Sequence, residues 1–165
     1  MFRSLALAAA VFSLAAGAAA AQGRSPDVSA AIGVVLKARS AEIGARDVED
    51  LRQDLIRTVS EALERSHGGA LHAARVEMII EDVRSNRPTF ARLGREPGLS
   101  MQSLSLGGAK ISGRVIDDAG EAHPFQISFY ENDLRNDVGA ATWTDAARAF
   151  DLVARDIVSG RLDRN

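Results

Sequence analysis

The side chains in this sequence whose types could carry a reaction or hold an ion are three histidines, a few paired carboxylates and two serines beside glycines. His67 and His72 flank a glycine pair after a helical stretch, and His123 precedes Pro124. A zinc site needs imidazoles recurring at helical or alternate spacing, and these three are too few and too irregularly placed. The carboxylate pairs are Glu77 with Glu81, Asp117 with Asp118, and Asp133 with Asp137. Glu77 and Glu81 share one face of a strand, where an acid and a base could serve glycoside cleavage. Charges on an open strand face also protect sheets from edge-to-edge pairing, and this second role fits the spacing better. The run Tyr130-Glu131-Asn132-Asp133 collects oxygen ligands for a cation, but the ligand spacing and closing glutamate of a calcium loop do not follow it.

Nucleophiles fare no better. Ser100 in Gly98-Leu99-Ser100 and Ser112 in Ile111-Ser112-Gly113 lie outside any Gly-x-Ser-x-Gly or Ser-x-x-Lys pattern, so turn and strand roles are expected for them. Gly107-Gly108-Ala109-Lys110 runs into a strand, so no helix N-terminus is directed at a phosphate. These patterns predict no catalytic residue, no metal ligand and no cofactor.

Composition bounds the class. The chain has 165 residues, 46 % of them hydrophobic, but residues 1–21 contribute 17 of the hydrophobic ones, ten of which are alanine. Arg3, an apolar stretch over residues 5–14 and the small residues ending at Ala19-Ala20-Ala21 follow the order of a cleavable signal peptide, with cleavage expected after Ala21. The expected location is periplasmic or secreted. No apolar run in the remainder approaches the ~20 residues that span a bilayer. With no cysteine, a lipid-anchored lipoprotein, disulfide staples, thiol catalysis and thiolate metal sites are all excluded. Removing Arg3 leaves 19 basic and 22 acidic residues, a net charge of −3 without a cationic block, so nucleic acid is not an expected partner.

The elements that would position these residues come from periodicity. Residues 22–27 form a polar arm, and 28–165 a single domain of ordinary size. Val28, Ala30, Ile32, Val34 and Leu36 alternate, predicting a strand over 28–37, with a short helix as the competing reading because the alanines are neutral to it. Val48, Leu51, Leu55, Val59, Ala62 and Leu63 recur every three or four residues, predicting a surface helix that starts near Asp47 and stops at Gly68-Gly69. Residues 74–83 and 104–116 read as strands, and Phe125, Ile127 and Phe129 alternate in a fourth that forms a hairpin with the third. Thr142-Trp143-Thr144-Asp145 has the form of a capping box before a helix that ends at Gly160, with Trp143 covering the end of the sheet. Residues 84–100, rich in arginine, proline and glycine, make a long irregular connection.

The predicted fold is therefore α+β, a two-layer domain with a four-stranded, mostly antiparallel sheet and two helices on one face. With residues 75–83, 107–117 and the closing helix carrying it, this organisation resembles the small β-α-β-β-β-α modules of the bacterial envelope, such as penicillin-binding-protein activator lipoproteins. The resemblance implies a non-catalytic accessory role with another envelope protein as partner. The expected partner surface is the 84–100 connection, through Arg87, Phe90, Arg92 and Arg95. A small periplasmic hydrolase using Glu77 and Glu81 or a His and Ser arrangement that the spacing does not reveal, and a small-ligand binder using the open face of the sheet, are the alternatives.

Overall fold

A computed structural model describes residues 25–162. The signal-peptide segment and the first half of the arm lie outside the described residues. Strand β1 (Asp27–Ile32) pairs in parallel with β2 (Ala73–Arg84), and β2, β3 (Gly108–Asp117) and β4 (Ala122–Tyr130) follow as antiparallel neighbours in the order β1-β2-β3-β4. This is the α+β architecture with a mostly antiparallel sheet. A parallel pair needs a crossover, and the chain supplies it with helices α1 (Val34–Ile43) and α2 (Ala45–Arg65).

Strand β1 is shorter than the alternation suggests. Gly33 interrupts it, its N–H bonded to the Ile80 carbonyl at 2.9 Å, and Lys37 N then bonds back to Gly33 O to open α1. Any Cβ at Gly33 would sit 2.9 Å from a Glu81 carboxylate oxygen. Beyond it, Leu36 and Ile43 turn inward while Val34 and Val35 face water. Of the residues that continue the alternation, only Leu36 lies on the buried stripe of α1, seven residues before Ile43, and Val34 does not. The arm is shorter too, because Asp27 already pairs with Arg75 in β1.

One face of the sheet is covered. Val76, Met78 and Ile80 of β2, Ala109, Ile111 and Val115 of β3, and Phe125 and Ile127 of β4 are buried on it. Onto this face pack α2, through Val48, Leu51, Leu55, Val59 and Leu63, and α4 (Thr144–Ser159), through Ala146, Ala149, Phe150, Val153 and Ile157. Two helices on one face thus stand as expected, with α1 added against β2 and a one-turn helix α3 (Phe90–Leu93) inside the long connection. Helix α4 stops at Gly160, whose left-handed φ of 69° suits glycine at that position.

The start of α4 departs from the predicted capping box. Thr144 Oγ1 accepts from Ala141 N, and no side chain of the flanking residues caps the helix. The Asp145 N–H is instead satisfied by Asn86 Oδ1 at 3.0 Å, from a residue 59 positions earlier. Trp143 does lie half-buried against the core, and its Nε1 donates to Asp47 Oδ1, tying the first turns of α4 and α2 together.

Candidate functional site

The connection between β2 and β3 is the longest irregular stretch of the described residues, and polar contacts fix both of its ends. Asn86 is fully buried. Its N–H donates to Thr142 O, its carbonyl accepts from Ser105 N, and its amide bonds Asp145 through both the backbone N–H and the carboxylate. Gly107 leaves the space this amide fills, since a Cβ there would collide with it. Ser105 Oγ donates to Ser85 O at 2.6 Å, and buried Thr89 accepts from Arg92 N to open α3. Arg87 donates to the carbonyls of Ala140 and Met101, drawing the middle of the connection onto the segment before α4.

The four residues expected to make the partner surface therefore divide. The Arg87 guanidinium is engaged in holding the connection to the fold. Arg92 grips Glu96 with two hydrogen bonds, of 3.0 and 2.8 Å, and lowers the Glu96 pKa below the ordinary carboxylate range. Phe90 and Arg95 are exposed, Phe90 by 80 %. Met101, Leu104 and Leu106 join Phe90 as exposed apolar side chains on the same connection.

The open face of the sheet carries the carboxylate pair. Glu77 receives Arg114 Nε at 2.8 Å and Nη2 at 2.6 Å, with Arg75 at 3.6 Å, and the Arg114 contact leads in lowering its pKa. Glu81 accepts from Ser112 Oγ at 2.6 Å. A general acid for glycoside cleavage must hold its proton near neutral pH, and the guanidinium beside Glu77 acts in the opposite direction. Ser112 is occupied as a donor to Glu81, and Ser100 bonds within its own turn to Gln102 and Ser103. Between β1 and β4 this face forms a shallow hollow of about 630 Å³, lined by Ser29, Ala31, Ile79, Pro124 and the Glu77–Arg114 pair.

Two groups place three possible metal ligands together among the described residues. In the first, Asp117 Oδ1 accepts from Ala119 N and Glu121 N while Oδ2 faces His123 Nε2 at 3.0 Å, so its oxygens already close the β3–β4 turn. These same bonds lower the Asp117 pKa, the His123 contact most. The second joins Glu131, Asp137 and Asp145. The predicted pair Asp133 and Asp137 is split. Asp133 caps the 3-10 turn Leu134–Asp137 and pairs with Arg135, while Asp137 is fully buried. His67 and His72 are exposed in the α2–β2 turn, both with positive φ. The sequence marks Asp145 only as the acid of a capping box and does not mark Asn86, and the one trace of their link is an amide three residues after an apolar strand run. No family model matches this chain, and no curated protein or solved structure matches it.

Proposed function

We propose that the protein is an exported, non-catalytic interaction module of the bacterial cell envelope that binds a partner protein through the 84–107 connection. The observation that carries the reading is the way this connection is built. Buried Asn86 and Thr89 and half-buried Arg87 tie it down, while Phe90, Met101, Leu104 and Leu106 remain in water. Holding a loop in one conformation lowers the ordering cost of binding, and exposed apolar groups on it supply the area that binding buries. The envelope location rests on the N-terminal export pattern, and the accessory role on the resemblance in organisation to activator lipoproteins.

Affinity capture from an envelope extract tests the reading. Phe90→Ala combined with Arg95→Ala is expected to abolish retention of the partner and leave the melting temperature within about 1 °C, since surface changes away from buried contacts cost less than ~0.5 kcal/mol. Arg87→Ala belongs in a separate variant, because it removes two structural hydrogen bonds. Undiminished capture by the double variant would sink the assignment. Sequencing of the N-terminus of the exported form is expected to begin at Gln22.

A second reading has its own support in the open-face hollow, whose size lies within the ~300–1,000 Å³ range of small-ligand sites. An apolar ligand with one anionic or hydrogen-bonding group would lie on Ile79 and Pro124 and meet Arg114. Ile79→Glu, on an exposed position, is expected to eliminate such binding without unfolding the sheet.

A further inference from the structure

The 131–145 segment holds three carboxylates in an arrangement that the protein's own cations leave unbalanced. Asp137 and Asp145 are both 0 % exposed, and Glu131 is nearly as buried, at 11 %. One carboxylate oxygen from each residue lies within 4.8 Å of those of the other two. Arg148 reaches this group, at 2.7 Å from Asp145 Oδ1 and 3.7 Å from Glu131 Oε2. Three carboxylates against one guanidinium leave two negative charges.

The partners of each oxygen are unequal. Glu131 Oε1 accepts from Asn132 N, Asp133 N and Asn136 Nδ2, which fixes the side chain and turns Oε2 toward Arg148. Asp145 is held by Asn86 Nδ2 on one oxygen and Arg148 on the other. Asp137 lies beside Asp145 and the Asn86 amide, yet both its oxygens are buried without a hydrogen-bond partner in bonding geometry. Buried polar atoms in native proteins are almost always paired, and an unpaired carboxylate is among the costliest groups to enclose.

We propose that Glu131, Asp137 and Asp145 form a binding site for a hard divalent cation, with calcium as the ion of best fit. Every donor is a carboxylate oxygen, the ligand type of Ca²⁺ and not of thiolate- or imidazole-seeking metals. The ion's double charge matches the excess of two, and Asp137 offers both oxygens. The ligands stand on an anchored frame, with Asp145 in the first turn of α4, Asp137 at the end of the 3-10 turn with its carbonyl accepting from Ala140 N, and Glu131 just after β4. The sequence patterns predicted no metal ligand here because Asp145 belongs to the far side of a loop.

Calcium titration of the full mature chain, freed of metal by chelation, tests the site. Isothermal titration is expected to read one ion bound with Kd of about 10⁻⁴–10⁻³ M, as in extracellular calcium modules. At 10 mM Ca²⁺ the melting temperature should rise by roughly 4 °C over a sodium chloride control of equal ionic strength. Asp137→Asn removes one charge without changing shape, so it should fold at least as stably in chelator and lose the calcium response. Glu131→Gln, at a partly accessible position, should weaken binding about tenfold. No heat and no shift in melting temperature in the parent chain would overturn the proposal. So would a response matched by sodium chloride, or one retained by Asp137→Asn.

Discussion

Asn86 concentrates more of the fold's polar connections than any charged residue expected to matter. Its side-chain amide serves both the N–H and the carboxylate of Asp145, and its backbone holds Thr142 and Ser105. Asn86→Ala would leave the buried Asp145 carboxylate without one partner and the first turn of α4 without its cap. The expected cost is about 2–4 kcal/mol, to be measured by urea unfolding, with a parallel loss of order in the 84–107 connection. An unchanged unfolding midpoint would mean that water replaces the amide. Asp82 plays a lesser version of this part. It accepts from Arg39 of α1 at 2.6 Å and from the Tyr130 hydroxyl at 3.0 Å, while Arg84 stacks on the Tyr130 ring. Burial and the Asp82 charge push the Tyr130 pKa up to about 12, so the hydroxyl remains a donor across the physiological range.

At the scale of elements, β3 shows how a glycine sets a close approach. Gly113 lies on the covered face between Met78 and Phe125, and a Cβ there would collide with the Glu77 carbonyl and press on the Phe125 ring. Gly113→Ala is expected to destabilise the sheet by about 2 kcal/mol through overpacking, read as a lower thermal midpoint. A neutral result would show that β4 can move outward. The strands and the two long helices were legible in the sequence because each buries one stripe, and a stripe writes its period into neighbouring residues: Val76, Met78 and Ile80 for a strand, Leu51, Leu55 and Val59 for a helix. The segment 33–37 was not legible, because Val34 and Leu36 continue the alternation of β1 although only Leu36 is buried in α1, and Gly33 is where the strand ends.

For the whole molecule, acid stability follows from carboxylates with guanidinium or imidazole partners. Glu49 is lowered to about 2 by Arg52 and Gln53, and Glu77 and Asp117 are lowered by Arg114 and His123. A carboxylate whose pKa is depressed on folding binds protons more readily in the unfolded chain. Its stabilisation is complete above the unfolded value and is lost as pH falls through the folded one. These pairs are therefore expected to leave the urea midpoint unchanged from pH 7 to about 5 and to lower it below about 4.5. Each contribution is small at these accessible positions, and salt should flatten the decline. A midpoint that does not change between pH 5 and 3 would show that these pairs add nothing to stability.

By itself the sequence determined the fold class, the paired strands and both core helices, since burial of a single face is a local, periodic property. It also marked the 84–100 connection, where proline, glycine and arginine break that period. Tertiary structure decided which of the marked side chains are free. It took Arg87 to Ala140 O, left Phe90 in water, and set Glu77 against Arg114. It alone brought Asn86 to Asp145 across 59 residues and enclosed Asp137 beside them. A buried polar contact is made by whichever groups the topology brings together, and no spacing along the chain records which those will be.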